Sequence, residues 1–287
     1  MRFITDDRVI ERGANKRTME VIAAGLPRCA TSSLQKALES DVLGCYPSMH
    51  MAHVVPHPER GRLVLAAMAE TDKVKRQALL YELFDGCAAT CDFPGVIFTD
   101  DLMDMYPSAK IILNQRDSAE LWADSMLGAI VSFNTWYHKA ATCLFSTDRM
   151  HGAMITGAFK HWNDKFGIGT EPTKEAFVKL YHAYNAWVRD EAARRGGRPV
   201  LEYNPRDGMA PLCRFLGTKS AGDMEGVPLP AVNDRKQMET LRRFLLLRGV
   251  LAWCGILLWL AAGVRHLPSV VLVVRGFLGR RLGGTAL

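Results

Sequence analysis

Residues 25–33, Gly-Leu-Pro-Arg-Cys-Ala-Thr-Ser-Ser, set one cation and three hydroxyls in a short segment that also carries a glycine and a proline. That is the make-up of an anion clamp: an arginine offers a bidentate fork, and Thr31 and Ser32 add hydroxyl donors. A second group lies further along, where Arg116 and Asp117 are followed by Ser125 about two helical turns later. An arginine and a serine so spaced suit a second phosphate.

The elements around these groups can be read from the apolar pattern. Val21–Ala24 is a short apolar run that breaks at Gly25 and Pro27 and restarts as a helix through Ser33, Leu34 and Leu38. A strand, a tight loop and a helix N-terminus aim several backbone N–H groups at one point, and the helix dipole adds positive charge there. The ATP/GTP pattern G-x-x-x-x-G-K-S/T is not met: its second glycine falls on Ala30 and its lysine on Thr31, while the one loop cation is Arg28. A phosphate loop without the magnesium-nucleotide signature remains, with an ordinary strand-to-helix turn as the alternative. Lys110–Gln115 has the apolar core of a buried parallel strand, Ile111–Leu113. Arg116 and Asp117 then fall at its carboxyl end, where open α/β sheets bind ligands, and Asp117 or Ser118 caps the next helix. The alternative there is a surface Arg–Asp pair ahead of a capped helix. Residues 57–84 and 171–195 have helical spacing, and Val200–Tyr203 reads as a further strand. The aromatics of 128–169 (Phe133, Trp136, Tyr137, Phe145, Phe159, Trp162, Phe166) are expected on helices over an acceptor pocket or in ordinary core, and Ser220–Pro230 is the expected linker.

Together these segments resemble the P-loop sulfotransferase superfamily, and most of all a divergent sulfotransferase-like branch common in fungi and other eukaryotes. The first loop of that branch, G-L/F-P-R-T-G-T-x-S-L, is matched by Gly25-Leu26-Pro27-Arg28-Cys29-Ala30-Thr31-Ser32-Ser33-Leu34. Cys45-Tyr46 with His50-Met51 resembles its C-Y-H-M segment at altered spacing, and Asp92-Phe93-Pro94 its D-W/F/Y-P. Tyr106-Pro107-Ser108-Ala109-Lys110 leads into the Arg116 strand as Y-P-x-A-K does in relatives. The segments at 204–208 and 211–217, and Val232-Asn233-Asp234, resemble its closing motifs.

The resemblance implies an α/β fold: one sulfotransferase-like domain over about 19–240, with a central parallel sheet flanked by helices. A polar segment, 1–18, would precede it and a hydrophobic anchor, 241–287, follow it. It implies 3′-phosphoadenosine-5′-phosphosulfate as sulfonate donor, with no metal. The 5′-phosphate would be held by Gly25, Arg28, Cys29, Ala30, Thr31, Ser32 and Ser33 through amides and the Thr31 and Ser32 hydroxyls. Arg28 would stabilise charge on the bridging oxygen as the sulfonate departs, and Arg116 and Ser125 would bind the 3′-phosphate. The acceptor hydroxyl would lose its proton to Asp92, whose carboxyl an apolar pocket would raise toward a base's range; His50 is the second choice and His53 the third. The sequence departs from the family at Ala30, where a Cβ matters if φ is positive, and at Met209, in place of a tryptophan near the nucleotide.

Composition bounds the rest. A chain of 287 residues with 48% hydrophobic content can bury one full-sized core. A net charge of +6 suits an anionic donor or an anionic membrane surface, and no basic run interleaved with aromatics points to nucleic acid. Seven cysteines at irregular spacing give no disulfide framework or zinc motif; Cys87 and Cys91 read as core thiols. Val250–Val264 carries no charge, and beyond Arg265-His266 and Pro268 a second apolar run precedes Arg275, Arg280 and Arg281. Three readings stand: a tail anchor, a membrane hairpin broken at Pro268, or a buried helix or oligomer interface. The flanking arginines favour a membrane-associated protein with its catalytic domain facing the cytosol. The expected function is transfer of a sulfonate to a hydroxyl of a small lipophilic acceptor, either as conjugation or as activation for elimination in a biosynthetic pathway. A non-catalytic membrane-bound nucleotide-binding scaffold is the alternative, and a P-loop kinase or nucleotide hydrolase a weaker one.

Overall fold

The computed structural model describes residues 4–6, 8, 10, 16–169, 171–218, 222–232 and 234–282, with side chains in the last stretch for 236–262. In chain order the elements are β1 (Val21–Ala23), α1 (Thr31–Leu38), β2 (Ser48–Met49), α2 (Pro58–Ala69), α3 (Lys73–Phe84), β3 (Ala89–Cys91), α4 (Thr99–Met105), β4 (Lys110–Asn114), α5 (Ala119–Ala129), α6 (Trp136–Thr142), α7 (Ser146–Phe166), α8 (Lys174–Arg194), β5 (Val200–Tyr203), α9 (Ala210–Leu216) and α10 (Asp234–Leu282). The strands form one parallel sheet in the order β2-β3-β1-β4-β5.

The strands read as apolar runs because helices cover both faces. Ile22, Ile111 and Leu113 face one core with Leu80, Trp122 and Tyr184. Val21, Ala23 and Ile112 face the other, with Leu34, Tyr203 and Leu212. Met209, the departure from the family's tryptophan, is buried in that second core. Chain direction across the sheet reverses between β1 and β4, since β1 leads away toward β2 and β4 toward β5. The loops that follow those two strands therefore part and leave a crevice between them. These are the loops that carry Arg28 and Arg116.

Helix ends follow local chemistry. Ser118 caps α5 by accepting from the Leu121 amide, Thr173 caps α8, and Asp72 caps α3 where the expected 57–84 helix is divided. Cys87 and Cys91 are free and buried, as expected.

Two segments differ from expectation. The hairpin break at Pro268 is absent, because α10 continues without interruption from Asp234 to Leu282. The expected boundary at 240/241 falls inside α10, whose Met238, Leu241 and Leu245 are buried against the domain. The polar segment before residue 19 is tied down as well: Arg8 donates to Glu39 Oε1 (2.6 Å) and to the Ser48 carbonyl (3.1 Å).

Candidate functional site

Beyond β1 the chain makes its closest approach to β4. A Cβ on Gly25 would come within 2.2 Å of the Asn114 carbonyl oxygen, so only glycine fits. The Gly25 amide donates to Asn114 Oδ1 (3.0 Å), and Asn114 Nδ2 donates onward to the Cys29 carbonyl (2.8 Å). Trp122 Nε1 donates to the Pro27 carbonyl (2.7 Å) and the Arg116 guanidinium to the Arg28 carbonyl (3.2 Å). Three successive loop carbonyls are thus held by side chains of the β4–α5 segment, and the loop is fixed from one side. Asn114, Trp122 and Tyr181, whose hydroxyl brackets the Arg116 backbone at 3.0 Å on both its N–H and its C=O, were not singled out from the sequence. The one signal for them was a polar residue, Asn114, closing an apolar buried strand.

Ala30 ends the loop at φ 55°, ψ 33°, and α1 starts at Thr31 with no side chain capping it. The leading amides of a helix have no intrahelical partners, so α1, unlike α5 and α8, offers its positive end to an outside anion. One loop residue differs from expectation: the Cys29 amide closes a turn on the Leu26 carbonyl (3.2 Å) and is spoken for. Burial also pushes the Cys29 thiol up to about 12, which keeps it protonated. The Ser33 hydroxyl accepts from the Val232 amide, leaving Thr31 and Ser32 as the hydroxyls on the cavity side.

Arg28 Nε donates to Ser125 Oγ at 3.3 Å. With the contact from Arg116 to the Arg28 carbonyl, the structure brings Arg28, Arg116 and Ser125 into one cluster at the crevice between β1 and β4.

Asp92 follows β3 at φ 67°. Its Oδ1 accepts from Thr31 Oγ1 at 3.4 Å, and its Oδ2 lies 3.5 Å from His50 Nε2, which is also 3.3 Å from Thr31 Oγ1 and 3.4 Å from Ser32 Oγ. These contacts are at the long end of the hydrogen-bond range. The Ala52 amide donates to His50 Nδ1 (3.1 Å), which requires a lone pair there and assigns the ring proton to Nε2. His50 therefore presents a donor to the carboxylate. His53 is placed elsewhere: its Nδ1 is 3.1 Å from Asp6 Oδ2, and it does not line the cavity that His50 lines. Burial pushes the Asp6 carboxyl up, but His53 and Arg8 beside it outweigh this and hold it down at about 2. The non-glycine residues at positive φ among those described, Arg28, Ala30 and Asp92, all stand at this site, where backbone strain commonly collects.

Arg28, Thr31, Ser32, His50 and Asp92 form the floor of a cavity of about 270 Å³. Its walls are apolar: Met126 of α5, Phe133, Ile155, Phe159 and Trp162 of the following stretch, and Met238, Leu241 and Leu245 of α10. Of the aromatics expected over a pocket, Phe133, Phe159 and Trp162 line it. Phe166 packs on Tyr184 and Trp187, and Phe145 stacks under the Arg248 guanidinium (3.8 Å). Arg248 pairs with Asp148, the one ion pair in the walls. Burial pushes the His151 imidazole down to about 4, so the wall is neutral there at ordinary pH.

The sulfotransferase domain family matches residues 20–238, from β1 through the first turn of α10. A protein of Aspergillus versicolor named Ava biosynthesis cluster protein M is 31% identical over 207 residues, which are 69% of this chain and 76% of that protein.

Proposed function

Because this chain belongs to the sulfotransferase domain family, we propose that it moves a sulfonate from 3′-phosphoadenosine-5′-phosphosulfate to a hydroxyl of a small lipophilic acceptor. The observation that carries this reading is the polar floor of the cavity, where Asp92 and Arg28 stand beneath mainly apolar walls. The donor set suits a doubly phosphorylated nucleotide: an uncapped helix N-terminus with two hydroxyls, and beside it Arg116 and Ser125, each in contact with Arg28, for the 3′-phosphate. When bound, that donor supplies an electrophilic sulfur and a phosphate leaving group.

The chain's own residues supply the rest. Asp92 accepts the proton of the acceptor hydroxyl as its oxygen bonds to sulfur. His50, a donor through Nε2, is a positioning residue that orients the carboxylate. Arg28 and the α1 amides take up the charge that develops on the phosphate oxygen as the S–O bond breaks. The apolar walls exclude water, which would otherwise compete as acceptor.

α10 carries the one stretch among the described residues long and apolar enough to cross a membrane, Lys236–Ala262, within which an 18-residue window reaches mean hydropathy 2.1. We read it as a membrane anchor holding the catalytic body on the cytosolic side. The relative's name supports a place in a biosynthetic pathway, where sulfation would serve conjugation or make a hydroxyl a good leaving group for elimination.

The test is binding of 3′-phosphoadenosine-5′-phosphate to the full chain in detergent, with ATP as competitor and Arg116→Ala as control. The full chain is needed because α10 walls the cavity. Tight binding that ATP does not displace, lost in the variant, supports the reading; no preference for the 3′-phosphate in a folded chain overturns it.

A further inference from the structure

The path of α10 divides at Gly249. Before it, Met238, Leu241 and Leu245 face the cavity and Arg248 is drawn onto Asp148 and Phe145. After it, the side chains face outward: Leu251, Leu257, Leu258 and Trp259 are between 60% and 74% exposed. At the division lies α6. A Cβ on Gly249 would meet the Ala141 carbonyl oxygen at 2.2 Å, and Trp253 Nε1 donates to the Ala140 carbonyl (3.0 Å). So α6 is clasped at the level where the charged part of α10 gives way to its uncharged part.

α6 buries His138 and Thr142 and turns the rest outward. Trp136 is 80% exposed, Tyr137 is 43% exposed, and Lys139 stands exposed between them and the clasp. Trp and Tyr beside a lysine, level with the end of an apolar helix, make up the side-chain set that settles where headgroups meet acyl chains. Leu144, also exposed, extends the same surface toward α7.

We propose that α6 is a second membrane contact, seated in the interface of the same lipid bilayer that receives α10 beyond Gly249. The proposal rests on the membrane reading of α10 given above. Its consequence is positional. Leu245 and Arg248, one turn or less before Gly249, line the cavity, so the chamber abuts the lipid surface and its acceptor is an alcohol dissolved in the bilayer. The Arg248–Asp148 pair then lies between chamber and lipid, a polar collar through which the hydroxyl end of such a molecule can lead.

The experiment needs neither donor nor acceptor. The full chain is reconstituted in phosphatidylcholine–phosphatidylserine vesicles in which part of the phosphatidylcholine carries bromines, either near the headgroup end of the acyl chain or near its methyl end. Tryptophan emission is compared among the wild type, Trp136→Phe and Trp259→Phe. Both residues are exposed, so neither change disturbs packing. The headgroup-end bromines should lose about half of their quenchable emission with Trp136→Phe, because Trp136 and Trp253 stand at that level while Trp259 lies further along α10. The methyl-end bromines should lose theirs chiefly with Trp259→Phe. If Trp259→Phe lowers quenching and Trp136→Phe does not, α6 faces water and the inference is wrong. If neither lowers it, the membrane reading of α10 falls with it.

Discussion

Around residues 25–31 the carbonyls of Pro27, Arg28 and Cys29 are each held by a side chain from β4, α5 or the turn between them. A few residues away the cavity is walled by Met126, Phe159, Leu241 and their neighbours, held mainly by apolar packing apart from the Arg248–Asp148 pair. The first region is wired and the second is packed. Directional bonds fix atoms to a fraction of an ångström, which suits a donor whose phosphates must not move. Apolar packing tolerates exchange of one side chain for another of similar volume. The floor residues Thr31, His50 and Asp92 stand on the boundary and belong to both.

The boundary gives the largest effect. Asp92→Asn should lower sulfonate transfer roughly 10²–10⁴-fold while leaving donor affinity nearly unchanged, read by turnover beside donor titration. Unchanged turnover would place the proton on another group, and donor binding with no turnover in the wild type would leave a nucleotide-binding scaffold. In the wired half, Asn114→Ala orphans the buried Gly25 amide and Cys29 carbonyl. It should cost roughly 1–3 kcal/mol for each in unfolding free energy and weaken donor binding, which denaturant titration with and without donor separates.

On the packed side, Asp6 anchors the segment whose Ile4 touches the cavity. Its folded pKa, about 2, lies below the unfolded value of 3.8. Its contribution is therefore complete above about pH 4 and is lost as pH falls toward 2, about 2 kcal/mol in all. Asp6→Asn should flatten the acid limb of melting temperature against pH in that window. Leu241→Ala, which enlarges the cavity, should raise acceptor KM about tenfold with donor affinity intact; a matching loss of donor affinity would show that the two halves are not independent. Smallest is Ala30→Gly. At φ 55° the Cβ is strained, and glycine should stabilise the chain by about 1 kcal/mol, seen as a higher denaturation midpoint.

The same division decides what could be read beforehand. The wired half is announced by local chemistry: Gly25, Arg28 and Thr31 lie within one turn of chain, and β4 and Arg116 are contiguous. The cost of Ala30 was conditional on a positive φ, and the structure has that residue at φ 55°. What escaped were long-range partners such as Asn114, 89 residues from Gly25, and Tyr184, whose hydroxyl donates to the Ala24 carbonyl. The tautomer of His50 and the turning of His53 toward Asp6 depend on neighbours that only the fold supplies. The cavity walls run from Ile4 to Arg248 and have no sequence pattern of their own. An anchor drawn from residue 241 takes in Leu241 and Leu245, because an apolar helix stripe reads the same whether it faces protein or lipid.

α10 also has a mechanical meaning. It runs as one rod from its cavity-lining turns into its exposed apolar length, with Gly249 seated against Ala141 as a fulcrum. A rod on a fulcrum is a lever. Any rocking of the long arm arrives at Met238 and Leu241 with the opposite sign, so the width of the chamber is tied to the angle at which the far end is held.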